Sequence, residues 1–179
     1  MGAVAEFPEV LENTFLTKEK NSAGIYAVRF FIRGKPWIIT VDDYFLYTPQ
    51  YEIPHWYANI GDDNSLWVPI LEKAWAKIKG NFANSDGGWT QNGIRALTGA
   101  PVFEYYTYDI YADYGLPGLF EDFSDDEAFT LLKAANDLDY ILGAGTDGTD
   151  SDTGNCGIVS GHAFTMIAAF ELKDSNDVV

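Results

Sequence analysis

The sequence predicts an α+β chain in which amphipathic helices are combined with antiparallel strands. Residues 24–32 and 37–41 are rich in β-branched and aromatic side chains and flank a short glycine-containing turn, which is the pattern of a β-hairpin. Over residues 66–79 apolar side chains recur every three or four positions, as on one face of a helix. Residues 158–172 form a further, mostly apolar stretch that favours a long strand or hairpin arm.

Length and composition limit the class of protein. The 179 residues, 47% hydrophobic and 16% aromatic, provide enough apolar material for one sizeable domain or two small lobes. The net charge of −16 argues against nucleic acid or an anionic membrane as a partner, because phosphate groups are bound by clustered Lys and Arg. There is no membrane-spanning apolar run and no basic secretory leader, and a single cysteine fits a reducing compartment. We therefore expect a soluble, cytoplasmic protein.

The remaining elements follow from local signals along the chain. A helix is predicted over 5–16 with Pro8 in its first turn, and Gly80 is expected to end the helix over 66–79. The turn-rich stretch 83–93 is the candidate boundary between two lobes. Four further elements are predicted: a short helix over 90–97, a helix over 124–135 opened by a capping box, a short strand over 140–144 and an acidic, glycine-rich loop over 147–157.

The chain has two histidines, so any histidine-dependent catalysis must use His55 or His162. His55 lies in an aromatic loop, where a packing or surface role is favoured. His162 follows Gly161 and opens an apolar strand that could hold the imidazole rigidly, so it could take a proton from a thiol and return it to a leaving amine. From the residues alone, a structural role for His162 remains the alternative.

Cys156 and the acidic loop around it are poorer candidates for chemistry. A nucleophilic thiol needs a lowered pKa, usually from a helix N-terminus or a neighbouring imidazolium, and a glycine-flanked loop provides no helix. We therefore interpret Cys156 as a structural or incidental thiol. Asp147, Asp150 and Asp152 do not have the spacing of an EF-hand, so a solvated loop is favoured over a calcium site. One cysteine and two distant histidines make a zinc site an unfavourable interpretation.

Several stretches, taken in chain order, resemble the protease core of the calpain family. They are Ala-Glu-Phe-Pro-Glu-Val at 5–10, Ala-Gly-Ile-Tyr-Ala-Val-Arg-Phe at 23–30, Gly34-Lys35 through Val41-Asp42-Asp43, Leu-Trp-Val-Pro-Ile-Leu-Glu-Lys-Ala-Trp-Ala-Lys at 66–77, Leu-Thr-Gly-Ala at 97–100 and Gly-His-Ala-Phe at 161–164. The resemblance implies a papain-like core of two lobes. The first lobe, residues 1–88, is expected to be helical with a β-hairpin, and the second, residues 89–179, to be mainly antiparallel β.

The resemblance also implies roles for individual residues. Calpains hydrolyse peptide bonds with a Cys, His and Asn triad in the cleft between the lobes, and His162 matches the histidine that acts as general base. Gly88 and Gly161 match backbone positions that line the cleft and bind an extended peptide. Asp86 stands where calpains often have serine.

Other family positions differ or fall outside the sequence. The family's Gly-Asp-Cys-Trp nucleophile motif lies just before the position of Ala5, and its Asn-Pro-Trp-Gly segment lies after the histidine strand, so neither is in this chain. We therefore expect no metal site. The resemblance to calpains makes calcium possible, but the position of the family's first-lobe glutamate ligand is Ser65 here. We therefore expect residues 1–179 alone to have no peptidase activity.

Three hypotheses for function follow. In the first, the chain is the central part of a calpain-type cysteine endopeptidase that acts on proteins or peptides. In the second, it is a catalytically inactive calpain fold that binds a protein partner. In the third, the acidic residues 147–152 form a calcium-responsive binding module. The residues upstream of Met1 and a peptidase assay separate the first two hypotheses, and calorimetry with calcium tests the third.

Overall fold

A computed structural model of the protein describes residues 1–46, 58–106, 123–149 and 157–172. The chain divides into two compact units, one comprising Met1 and Ala3–Pro101 and the other Gly2 and Val102–Val179. The predicted lobe boundary at residues 88 and 89 lies earlier than this division and stays a prediction. In the described segments, no helix is long and apolar enough to cross a bilayer. The helices and antiparallel strands agree with the α+β class predicted from the sequence.

The N-terminal segment forms two short helices, α1 (Gly2–Ala5) and α2 (Pro8–Thr14). The helix predicted over 5–16 with Pro8 in its first turn is confirmed as α2, but it begins at Pro8 and not at residue 5, and the separate helix α1 precedes it. Phe7, which lies between the helices, has φ −116° and ψ 85°. A proline lacks the amide hydrogen and disfavours the α conformation in the residue before it, so Pro8 can begin a helix but cannot continue one.

The predicted hairpin is confirmed as β1 (Ile25–Ile32) paired antiparallel with β2 (Lys35–Asp42). Ile32 lies opposite Lys35, so the connecting turn consists of two residues, Arg33 and Gly34. Both have positive φ, 52° and 74°, as a type I′ hairpin turn requires. Alternate side chains of β1 point into the core, where the following are buried: Tyr26, Val28 and Phe30.

The helix predicted over 66–79 is confirmed as α3 (Trp67–Lys79), and it packs on the hairpin. Its apolar stripe is buried, with Leu71 only 1% exposed. On the same helix, the Lys73 ammonium contacts the Asp42 carboxylate at 2.6 Å, and the Lys77 ammonium donates to the Thr40 carbonyl at 2.7 Å. Two lysines one helical turn apart therefore connect α3 to the end of β2.

The first unit continues through a 3₁₀ turn (Ala83–Ser85) into α4 (Thr90–Thr98), which packs against β1 and α2. The prediction of a helix over 90–97 is confirmed. Gly99 ends this helix in the left-handed conformation, and its amide donates to the Arg95 carbonyl at 2.9 Å. This glycine-terminated end is a common way to satisfy the last carbonyls of a helix.

In the second unit, α5 (Asp125–Asp137) is followed by β3 (Leu142–Gly145) and β4 (Ala163–Met166), which pair antiparallel. The predicted capping box that opens α5 is confirmed by reciprocal hydrogen bonds between Ser124 and Glu127. The long strand predicted over 158–172 is wrong in its extent. Within the described residues β4 pairs only with the four residues of β3, so the ladder is short.

Candidate functional site

His162 lies immediately before β4, at the end of the small β3–β4 sheet. The residue is exposed, and its ring lies against the ring of Phe164 at a centroid distance of 5.0 Å and an interplanar angle of 68°. This edge-to-face geometry is one that aromatic pairs prefer. Phe164 is the second residue of β4 and follows His162 by two positions, so the contact between the two rings is local in sequence.

The backbone of His162 is held by Thr146, the residue that directly follows β3. The Thr146 amide donates to the His162 carbonyl at 2.9 Å, and the His162 amide donates to the Thr146 hydroxyl oxygen at 3.1 Å. That hydroxyl also lies 2.6 Å from the Val159 carbonyl, to which it donates. The candidate general base is therefore anchored through its main chain on both its amide and its carbonyl side.

Gly161, the predicted substrate-binding neighbour of His162, adopts φ 63°, a region that favours glycine. Its amide donates to the Asp147 carbonyl at 2.9 Å. The segment after β3 and the segment before β4 therefore stay in contact beyond the paired strands. A role in binding an extended peptide would therefore fall to the Gly161 carbonyl. The structure brings Gly161 and His162 together with Thr146 and Asp147, all within the second unit.

Gly88, the other predicted substrate-binding residue, lies in the first unit, in the segment between the 3₁₀ turn and α4. It has φ 141°, and the preceding Gly87 has φ 70°. A Cβ atom added at either position would meet no other atom within 4 Å. Asp86 before them is exposed, and Trp89 after them is 64% exposed. The Gly87–Gly88 backbone is thus open to an approaching chain, and the assignment of Gly88 stays a prediction.

Ser65, which the resemblance would match to a first-lobe calcium ligand, belongs to a tight turn with Gly61 and Asp63. The Ser65 amide donates to the Asp63 carboxylate at 2.9 Å, and the Gly61 amide donates to the Ser65 carbonyl at 3.1 Å. Hydrogen bonds from the Ser65 hydroxyl and amide hold the pKa of Asp63 below its usual value. The carboxylate nearest to Ser65 is thus already engaged, and a hydroxyl brings no negative charge of its own.

Four residues that the sequence singled out lie outside the described residues: His55, Asp150, Asp152 and Cys156. Asp147 is described and is exposed. Over the parts of the chain that the structure describes, no three His, Cys, Asp or Glu side chains come together as a possible metal site. The calcium and thiol interpretations therefore stay predictions.

Thr146 is the residue of this site that sequence reasoning missed. It follows a Gly-Ala-Gly stretch, and no local pattern distinguishes it from an ordinary loop threonine. Its role depends on the pairing of β3 with β4, which puts it opposite a residue 16 positions later in the chain.

Comparison with known proteins adds the family. A family model described as "Calpain family cysteine protease" matches residues 1–179. The chain is 32% identical over 175 residues to "Calpain-type cysteine protease DEK1" of Zea mays, covering 96% of this chain. It is 29% identical over 153 residues to "Calpain-A" of Drosophila melanogaster and 27% identical over 164 residues to "Calpain-2 catalytic subunit" of Mus musculus, covering 83% and 89% of this chain.

The relatives are much longer than this chain. The matched region is 8% of the maize protein, 16% of the fly protein and 21% of the mouse protein. The activities, substrates and partners of these whole proteins therefore do not pass to this chain through the similarity alone.

Proposed function

Because the chain belongs to the calpain family of cysteine proteases, we propose that it forms part of a peptide-hydrolysing core in which His162 is the general base. In this reaction the imidazole takes the proton of a cysteine thiol, and the thiolate attacks the peptide carbonyl. The C–N bond then breaks as the imidazolium returns the proton to the leaving amine. Water, deprotonated by the same imidazole, hydrolyses the resulting thioester.

The observation that carries this proposal is the placement of His162 on an exposed yet anchored end of a sheet. The imidazole of a general base must reach both a thiol and a leaving amine, which requires an accessible ring. It must also keep one orientation, which the main-chain bonds to Thr146 and the ring contact with Phe164 promote.

The nucleophile, in this proposal, is a cysteine of the full-length protein other than Cys156. Cys156 precedes His162 by six residues in a glycine-flanked segment, and no helix N-terminus is available there from the sequence to lower a thiol pKa. The substrate is a protein or peptide bound in extended form, and the main-chain groups of Gly88 and Gly161 are the proposed binding groups.

A peptidase assay on the full-length protein tests this proposal. We expect His162→Ala to lower kcat on a fluorogenic peptide by at least about 10²-fold, the usual contribution of a general base, and Cys156→Ala to leave kcat unchanged. The matched control is Glu19→Ala, an exposed change far along the sequence from His162. Full activity in His162→Ala would refute the assignment.

A wild-type full-length protein without peptidase activity would favour the alternative, an inactive calpain fold that binds a protein partner. Residues 1–179 alone are expected to give no turnover, because the members of a catalytic unit act together and a base without its nucleophile adds little. Turnover by residues 1–179 that is lost in Cys156→Ala would contradict both this expectation and the proposed role of Cys156.

We also propose that the Ser65 position binds no calcium. The Asp63 carboxylate is engaged by Ser65, and a neutral hydroxyl replaces the carboxylate that the family uses there. Isothermal titration calorimetry of the full-length protein and of Ser65→Glu measures this directly. We expect Ser65→Glu to gain calcium affinity, whereas calcium binding by the wild type that is lost in Ser65→Ala would overturn the proposal.

A further inference from the structure

Thr146 and His162 stand opposite each other one position beyond the last pair of the β3–β4 ladder, Gly145 with Ala163. The Thr146 amide donates to the His162 carbonyl at 2.9 Å, as in a regular antiparallel pair. In such a pair the His162 amide would donate back to the Thr146 carbonyl. It donates to the Thr146 hydroxyl oxygen instead, at 3.1 Å. A side chain therefore replaces a main-chain acceptor at the candidate catalytic residue.

The same hydroxyl holds a second backbone group. It lies 2.6 Å from the Val159 carbonyl and 3.3 Å from the His162 carbonyl. A hydroxyl has one proton to donate and two lone pairs to accept with, so it can donate to Val159 while it accepts from the His162 amide. One oxygen atom thus links the first and last residues of the bend Val159–His162.

The other residues of this bend also contact the segment that follows β3. Gly161 has φ 63° and donates its amide to the Asp147 carbonyl at 2.9 Å. A Cβ atom added at Gly148 would come within 3.1 Å of the Ser160 Cβ atom, so the two segments are in close contact there. The bend that precedes His162 is therefore fixed on both sides, with the Thr146 hydroxyl bonded to its two ends.

From this geometry we infer that the Thr146 hydroxyl is the positioning group for His162, holding the bend Val159–His162 so that the imidazole keeps its catalytic orientation. The inference rests on the proposed function, in which His162 is the general base. The direction of a side chain is set by its backbone, and a shift of about 1 Å in a reacting group can cost about 10²-fold in rate. The Phe164 ring, 5.0 Å from the imidazole ring, then limits rotation of the side chain.

The test compares three variants of the full-length protein in a fluorogenic peptide assay. Thr146→Val keeps the shape of the side chain but removes the hydroxyl, and we expect kcat to fall about 10- to 100-fold with KM little changed. Thr146→Ser restores the hydroxyl and should restore kcat. The matched control is Thr130→Val on α5, where an exposed hydroxyl bonds the Asp126 carbonyl at 2.8 Å, and it should leave kcat unchanged. Wild-type kcat in Thr146→Val would overturn the inference.

Amide hydrogen exchange of the full-length protein provides a readout that does not depend on activity. We expect the His162 amide to exchange several-fold faster in Thr146→Val and at the wild-type rate in Thr146→Ser. Unchanged exchange in Thr146→Val would overturn the inference even if the wild type had no turnover. The His162→Ala variant separates the two proposals. If His162→Ala stays active, the assignment of His162 as general base is wrong. If His162→Ala is inactive while Thr146→Val is fully active, only the positioning role of Thr146 is wrong.

Discussion

Replacement of Gly99 by alanine should strongly destabilise the first unit. Gly99 ends α4 with φ 72° and ψ −1°, and its amide donates to the Arg95 carbonyl. A Cβ atom there would lie 2.8 Å from both Cγ and Cδ1 of Phe31, closer than real carbon atoms approach. Phe31 is on β1, so the added methyl would act at the contact between α4 and the hairpin.

Two terms add in Gly99→Ala. A left-handed conformation costs a non-glycine residue roughly 1–2 kcal/mol. Crowding of a packed ring by one extra carbon typically costs about 1–3 kcal/mol. We therefore expect the free energy of unfolding to fall by about 2–5 kcal/mol. Gly93, in the interior of the same helix, is the matched control, because an added Cβ there would meet nothing within 4 Å. Gly93→Ala should stabilise by roughly 0.5–1 kcal/mol.

Urea unfolding followed by circular dichroism measures both variants. With an m value of about 2 kcal/mol per molar, the urea midpoint should fall by about 1–2.5 M in Gly99→Ala and rise by a few tenths of a molar in Gly93→Ala. The double variant with Phe31→Ala separates the two terms, since it removes the crowding and leaves the backbone cost. A midpoint for Gly99→Ala at or above that of the wild type would refute the reasoning.

Two further predictions concern the start of α5. Ser124→Ala removes a capping side chain and should lower the free energy of unfolding by about 1 kcal/mol, whereas Ser124→Asp should retain most of the stability; equal thermal midpoints for wild type and Ser124→Ala would contradict this. The Ser124 hydroxyl and amide bond the Glu127 carboxylate at 2.7 and 3.0 Å and hold its pKa below the usual value. A lowered folded-state pKa gives stability that is present above the unfolded-state pKa of about 4.3 and is lost as the pH falls through the folded-state value. The midpoint difference between wild type and Glu127→Gln should therefore be larger at pH 7 than at pH 3, and a difference independent of pH would show that the charged capping box does not contribute.

The elements that the sequence locates correctly are those whose signals are local. The hairpin with its glycine-containing turn, the apolar stripe of α3 and the Ser124–Glu127 capping box all depend on residues that are close together in the sequence. The structure shortens the turn to Arg33 and Gly34, because Lys35 already pairs with Ile32. The family is likewise predictable, because motifs such as Gly-His-Ala-Phe are read from consecutive residues and a family model matches the whole chain. The helix predicted over 5–16 is confirmed only from Pro8 to Thr14, because Pro8 disfavours the helical conformation in Phe7 and the helix cannot extend back to residue 5.

The sequence identifies His162 as the candidate general base, and its role remains a prediction. What only the tertiary structure decided is how that histidine is held. Thr146 contacts it through the pairing of β3 with β4, and the length of β4 is set by the short partner strand, not by its own apolar residues. The hydrogen bond between Thr146 and His162 joins residues 16 positions apart, so it depends on the tertiary path of the backbone. Local residue propensities do not determine that path. The sequence by itself identified the candidate residue for the chemistry, and the fold identified the residue that we propose positions it.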